Sequence, residues 1–297
     1  MKVLSLFSGI GAFEKALTNL RIPFELVAFC EIDKYASKSY SAIHGIPEEL
    51  NLGDITKADE GKLPKGIDLI TYGFPCQDIS IAGKQRGLID ADGKQTRSGL
   101  FFEALRIIEA TQPRVAIAEN VKNLTGKRFA EQFATVLNSL EQAGYNNYWK
   151  VLNLKDFGVP QNRERVFIVS IRKDIDNGTF GFPEGFPLKL RLKDVLEEQV
   201  NEKYYLSKKM VDYVTTTVEN CGFTSEIDDD PEVAKTLTAS MHKMHRAGVD
   251  NYIKVVGQLD MKGNDQVRRV YGTDGIAPTL NTMQGGHRQP KIIEQQV

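Results

Sequence analysis

Residues 2–17 read KVLSLFSGIGAFEKAL. The stretch begins as an apolar strand over 2–7, breaks at FSGIG, and resumes as a helical pattern in GAFEKALTNL. Gly9 and Gly11 let the backbone turn tightly and approach a ligand closely. The helix that follows presents free N–H groups to an electronegative group. The same run faintly resembles a secretory leader. Its apolar part is interrupted by SGIG, then by Glu14 and Lys15, and no small-residue cleavage site follows. The expectation is a buried first strand.

Outward from this unit the pattern repeats. Short apolar runs at 25–31, 67–73, 114–120, 148–154 and 165–171 read as strands. Helical patterns lie in GLFFEALRIIEATQ and in FAEQFATVLNSLEQAG, where Gly144 is the expected C-cap. Alternation of this kind predicts a doubly wound, mostly parallel, Rossmann-like α/β sheet with helices on both faces. Ligands in such sheets sit beyond the carboxyl ends of the strands. FSGIG, Glu31, GFPC and ENV all fall there and should open onto one edge.

The 297-residue chain has a net charge of −1, so bulk electrostatics neither requires nor excludes a nucleic-acid partner. Its three cysteines are scattered, without zinc spacing. Reduced thiols, a cytoplasmic location, no metal and no membrane segment are therefore expected.

Glu31 lies at the tip of the second strand, where an acid in this fold class binds two ribose hydroxyls. The third glycine of the dinucleotide fingerprint is missing, which favours a nucleoside without a pyrophosphate. Asp54 could accept from an adenine amino group, and Ile55 could pack on the base. Pro75 has no N–H and ends strand pairing. Cys76, directly after it, would project into the cleft, whereas Cys30 within LVAFCE fits a core position. Glu119 ends an apolar run on the same edge, where a carboxyl can hold or deliver a proton. Arg163 and Arg165 precede a strand, and alternate residues share a face.

In order and placement, FSGIGAFE, GFPCQDIS, AENV and QNRERVFIVSI resemble the signatures of the DNA cytosine-5 methyltransferases. The likeness is tight over 1–175 and loose beyond. It implies S-adenosylmethionine as methyl donor and double-stranded DNA as substrate, with a cytosine flipped into the cleft. It also implies Cys76 as the nucleophile at C6, Glu119 at N3 and the amino group, Arg165 holding the base, and Arg163 supporting the cleft. Phe7 would stack near the adenine, and Gly9 and Gly11 would approach the methionine part. Glu31 would hold the ribose, Asp54 and Ile55 would read the adenine, and Ile32 and Pro75 join the donor-binding set. The polar, glycine-rich run at 82–102 reads as a lid, with Lys84, Gln85, Arg86 and Ser98 as DNA contacts.

Composition changes near residue 180, at NGTFGFPEGFP. The expected division is a catalytic, donor-binding domain over 1–180 and a smaller, irregular target-recognition region over 181–297. A helical run from residue 192, an acidic turn at EIDDDPE and a weak internal echo are expected in the latter. The family's Arg-x-x-Thr-x-x-Glu stretch and its terminal Gly-Asn segment are not found, so the C-terminal region is read as incomplete or divergent. A second polypeptide could complete it, and a restriction endonuclease could share its site. The alternatives are an RNA cytosine-5 methyltransferase, or a split chain that binds DNA or a partner.

Overall fold

The computed structural model describes residues 1–75, 88, 96, 98–195, 209 and 232–236, together with the backbone of 257–258 and 269–270. It divides into two compact units, Met1–Leu152 with Glu164–Pro183, and Asn153–Arg163 with Glu184–Val297.

The first unit is built on a six-stranded sheet. Its strands are β1 (Lys2–Leu6), β2 (Glu25–Cys30), β3 (Leu69–Tyr72), β4 (Val115–Val121), β5 (Tyr145–Asn153, as far as Leu152 in this unit) and β7 (Glu164–Arg172). The order is β2-β1-β3-β4-β7-β5. β1 pairs in parallel with β2 and β3, and β3 with β4, while β7 runs antiparallel to β4. The carboxyl ends of β1 to β4 and the amino end of β7 therefore share one edge. All six strands lie within a residue or a few of where the apolar runs place them.

Among the described residues, four helices cover the sheet: α1 (Ala12–Asn19), α2 (Lys34–His44), α3 (Phe101–Thr111) and α4 (Ala130–Gln142). α3 buries Phe101, Ala104, Ile107, Ile108 and Thr111, the stripe that a 3.6-residue period gives. With Phe133, Val136 and Leu140 of α4 it packs against Leu4, Leu6, Ile70, Tyr72, Ala116 and Ala118. Val3, Leu26, Phe29 and Leu69 point the other way and pack with Tyr40 of α2 and Leu17 of α1. Strands buried on both faces read as continuous apolar runs, which is why they were visible in the sequence. α2 was not visible. Its sequence, KYASKSYSAIH, has no clean apolar stripe, and its signals are at the ends. Asp33 caps it by accepting from Tyr35 N and Ala36 N, and Gly45 leaves it at φ 64°.

Residues up to Pro183 belong with this unit because the aromatic run docks on β5. The Phe180 ring lies 5.2 Å from that of Tyr148, and Phe182 lies edge-on to Phe180. Tyr145 donates its buried hydroxyl to Pro113 O at 2.8 Å.

In the second unit, β6 (Gln161–Asn162) pairs in parallel with β8 (Ala234–Lys235), and β9 (Gly257–Gln258) pairs antiparallel with β10 (Arg269–Val270). Phe186 closes on the 153–163 loop, with its N–H on Asp156 O and its ring edge-on to Phe157. Of the helical run expected from 192, Leu192–Val195 form a 3-10 turn, Lys209 is helical, and the rest lies outside the described residues. So do most of the acidic turn, the first copy of the internal echo beyond Thr236 and all of the second. Among the described residues, no helix is long and apolar enough to cross a membrane.

Candidate active site

At the end of β1, Phe7, Gly9 and Gly11 all have positive φ, at 52°, 56° and 84°. The chain doubles back, and Gly11 N donates to Ser8 O. This turn aims Gly9 N at the Glu31 carboxylate, with Oε2 accepting at 2.9 Å. Oε1 accepts from Asp33 N at 2.8 Å. The carboxylate is thus fixed by two main-chain donors, and each oxygen keeps a lone pair for a further donor. A methyl built on Gly9 would meet nothing within 4 Å, so the loop faces open space there. Phe7 is partly buried against the core.

The two isoleucines expected in the donor-binding set are placed differently. Ile55 is 4% exposed because its side chain completes the core, so little of that side chain is free for a base. Ile32, next to Glu31, is 75% exposed and offers the apolar surface instead. Asp54 caps the 3-10 turn at Ile55–Lys57, accepting from Thr56 N and Thr56 Oγ1. Those bonds hold its carboxyl below the usual carboxylate range, so it stays an acceptor.

The turn bearing Asp54 and Ile55 is held from behind. Arg106 of α3 donates to Ile55 O at 3.0 Å and Ala58 O at 3.1 Å, and pairs with Glu60 and Glu103. Cys30 lies beneath, its thiol on Gly53 O at 3.0 Å. Burial, then the charges of Glu31 and Asp54, push that thiol up to about 12. Cys30 should therefore resist alkylation in the native protein at pH 8 and react only on unfolding. Peptide mass mapping after a brief iodoacetamide pulse checks this, and early labelling at Cys30 would contradict the assignment to the core.

The second cluster lies on the same edge. Glu119 and Val121 share a face of β4, and Arg165 of β7 stands opposite Val121. The diagonal across the ladder brings Arg165 Nε to 2.7 Å from Glu119 Oε1. Arg165 also donates to Glu164 O. A methyl built on Gly73 would sit 3.7 Å from Glu119 Oε2, so the chain leaving β3 passes against this carboxyl. Phe74 follows, buried, with its carbonyl held by Asn120 Nδ2 at 3.1 Å, and then Pro75, half-buried. Cys76, Lys84, Gln85 and Arg86 lie outside the described residues. Ser98, expected as a DNA contact, is fully buried at the start of the turn before α3.

Arg165 is the arginine paired with Glu119. The reading that placed Arg163 beside it assumed a strand continuous through 163. β7 begins at Glu164, and Arg163 belongs to the second unit, its N–H on Asn153 Oδ1 and its carbonyl on Leu154 N. Asn51, Arg106 and Asn120 were missed by sequence reasoning. Each acts on main-chain atoms distant in sequence, which leaves no local pattern.

A glycine loop clasping an acid at the carboxyl edge, with a glutamate–arginine pair two strands away, gives a Rossmann-like α/β protein with two polar clusters on one edge of its sheet. The chain belongs to the C-5 cytosine-specific DNA methylase family, whose model matches residues 1–290. Members of that family are S-adenosylmethionine-dependent methyltransferases. The whole chain aligns at 37% identity with 70% of the orphan methyltransferase M.Rho11sI of Bacillus phage rho11s. At 38% identity, 71% of the chain aligns with 71% of the type II methyltransferase M2.ScrFI of Lactococcus lactis subsp. cremoris. Among solved structures, the S. pombe Dnmt2 methyltransferase superposes with a TM-score of 0.64 at 19% identity, over 94% of this chain and 83% of that one. Likeness at that identity concerns the fold.

Proposed function

We propose that the protein methylates C5 of cytosine in duplex DNA through a covalent adduct between Cys76 and C6. The observation that carries this is the Glu119–Arg165 pair, set against Gly73 where the chain leaves β3; Cys76 follows three residues on in the sequence. The names of the relatives, type II and orphan methyltransferases, support DNA as the substrate.

The residues at the donor loop fit S-adenosylmethionine. The free lone pairs on the two Glu31 oxygens suit two ribose hydroxyls, Ile32 suits an apolar base face, and Asp54 suits an exocyclic amino group. Gly9 and Gly11 line the approach of the methionine part. When bound, the donor supplies an electrophilic methyl group on a sulfonium sulfur.

The target cytosine must leave the duplex, at a cost of a few kcal/mol. Arg165 holds Glu119 through Oε1 and leaves Oε2 for the base. The Cys76 thiolate adds to C6, and the displaced electron density is met by a proton passing from Glu119 to N3. C5 is then enamine-like and takes the methyl. A base removes the C5 proton, the ring double bond re-forms, Cys76 leaves as thiolate, and N3 returns its proton. In this reading residues 1–180 carry the chemistry, and 181–297 read the DNA sequence.

Duplex DNA containing 5-fluorocytosine tests the proposal, because fluorine at C5 blocks the final elimination. The expected result is a denaturation-resistant, donor-dependent adduct mapped to Cys76, absent from Cys76→Ala. Methylation by Cys76→Ala, or transfer to structured RNA in preference to duplex DNA, would overturn it.

A further inference from the structure

We propose that Asn51 is a positioning residue for the methyl donor, locking together the two acidic residues that hold it without touching it. The inference rests on the donor site proposed above. Asn51 lies between α2 and the turn bearing Asp54. Its side-chain Oδ1 accepts from Glu31 N at 3.0 Å and from Gly53 N at 2.9 Å. Its Nδ2 donates to Glu31 O at 2.9 Å and to Ser37 Oγ at 2.9 Å. A carboxamide has two N–H donors and two acceptor lone pairs, and all are used here. The orientation is fixed by the network, since a reversed amide would face N–H with N–H and carbonyl with carbonyl.

The placement explains why an asparagine is needed. β2 is the edge strand of the sheet, and Glu31 lies just past its end. Beyond β2 the sheet offers one isolated parallel bridge, between Phe29 and Asn51, with Leu52 N on Phe29 O at 2.7 Å. The Asn51 side chain continues this pairing for one more residue. It gives Glu31 both an acceptor and a donor, as a neighbouring peptide group would. The same Oδ1 holds Gly53, the residue before Asp54. The separation of the ribose-binding and base-reading acids therefore depends on one amide.

Asn51→Asp is close in shape but has no N–H for Glu31 O or Ser37 Oγ. Its added negative charge would directly favour a cationic donor, so attraction to the donor works against the expected loss. The expected result is a donor Kd raised about 10–100-fold, with kcat at saturating donor within about twofold of the parent. Ser37→Ala is the control. It removes one bond of the same network at a buried serine and leaves the ties to Glu31 and Gly53. It should lower the melting temperature and leave donor Kd within about twofold, because a purely structural contribution does not move donor affinity well below the melting point. If Asn51→Asp does not fold, Asn51→Ser, which adds no charge, takes its place.

Isothermal titration with S-adenosylmethionine reads each variant, alongside Glu31→Ala. A parent-like Kd for the Asn51 variant, with binding lost in Glu31→Ala, overturns the role of Asn51 alone. Parent-like binding in Glu31→Ala overturns the donor site and this inference with it.

Discussion

Changing Glu119 to glutamine is expected to slow single-turnover methyl transfer by about 10²–10⁴-fold, the range for loss of a positioned general acid. The shape is kept. A glutamine oxygen can still accept from Arg165 Nε where Glu119 Oε1 now does at 2.7 Å. Its amide NH₂ then occupies the place of Oε2, on the side where Gly73 passes. That group can hydrogen-bond to N3 but cannot transfer a proton to it, so the variant separates binding of the base from protonation. Stability should change little. The pair is partly exposed, at 18% for Arg165 and 30% for Glu119, and pairs of this kind contribute about 1 kcal/mol or less. Donor affinity should be unchanged, because the donor loop lies at the ends of β1 and β2 and does not include β4. Arg165→Lys should fall between parent and Glu119→Gln. An ammonium keeps the charge but cannot span Glu119 Oε1 and Glu164 O in one rigid plane. Rapid-quench measurement at saturating donor decides the matter. A Glu119→Gln rate within about threefold of the parent would remove Glu119 from the proton-transfer role.

The same pair shows what a sequence can reveal. Glu119 was legible because β4 is an apolar strand, and a carboxyl at its carboxyl end stands out against AIA. Arg165 was legible from its place before another apolar run. Its partner was not, because β7 runs antiparallel to β4, and nothing in the local pattern gives strand direction. The register that sets Arg165 opposite Val121 decides which arginine reaches Glu119. Ile55 and Ile32 make a similar point. Each follows an acid at a strand or turn end, so the local sequence treats them alike. Burial separates them, and it follows from where α3 packs. Asn51, Arg106 and Asn120 were beyond sequence reasoning for another reason. Each binds a main-chain atom 20, 51 or 46 residues away, and every residue type supplies main-chain atoms. Hydrophobic periodicity reports which residues face the core. It carries no information on which polar side chain closes a turn from a distance.

Gly11→Ala should be the most disruptive small substitution in the donor loop. At φ 84° an alanine is strained by about 1–2 kcal/mol. The added methyl would also lie 2.1 Å from His44 Nε2 and 2.9 Å from Tyr40 Cε2. His44 could swing outward, but it would give up its contact with Ile10 O, now 3.0 Å. Tyr40 has no such freedom. It is fully buried, and its ring stacks on Phe29 at 4.2 Å between centroids. Relief must therefore come from the loop backbone or from separation of α1 and α2, and overpacking of this kind costs a further 1–3 kcal/mol or so. The total, about 2–5 kcal/mol, is a large share of the stability of an ordinary domain. The melting temperature should fall by roughly 5–15 °C. Donor affinity should fall as well, since loss of the His44–Ile10 contact frees the segment between Gly9 and Gly11. Gly9→Ala provides the contrast. Its φ of 56° brings the same strain, but its methyl meets nothing within 4 Å. It should lower the melting temperature by only a few degrees, and any loss of donor affinity must come from the methyl entering the donor's own space. Calorimetry of the two variants side by side tests the argument. Equal melting temperatures would mean that the approach of α2 to Gly11 does not constrain the loop, and that backbone conformation alone selects glycine there.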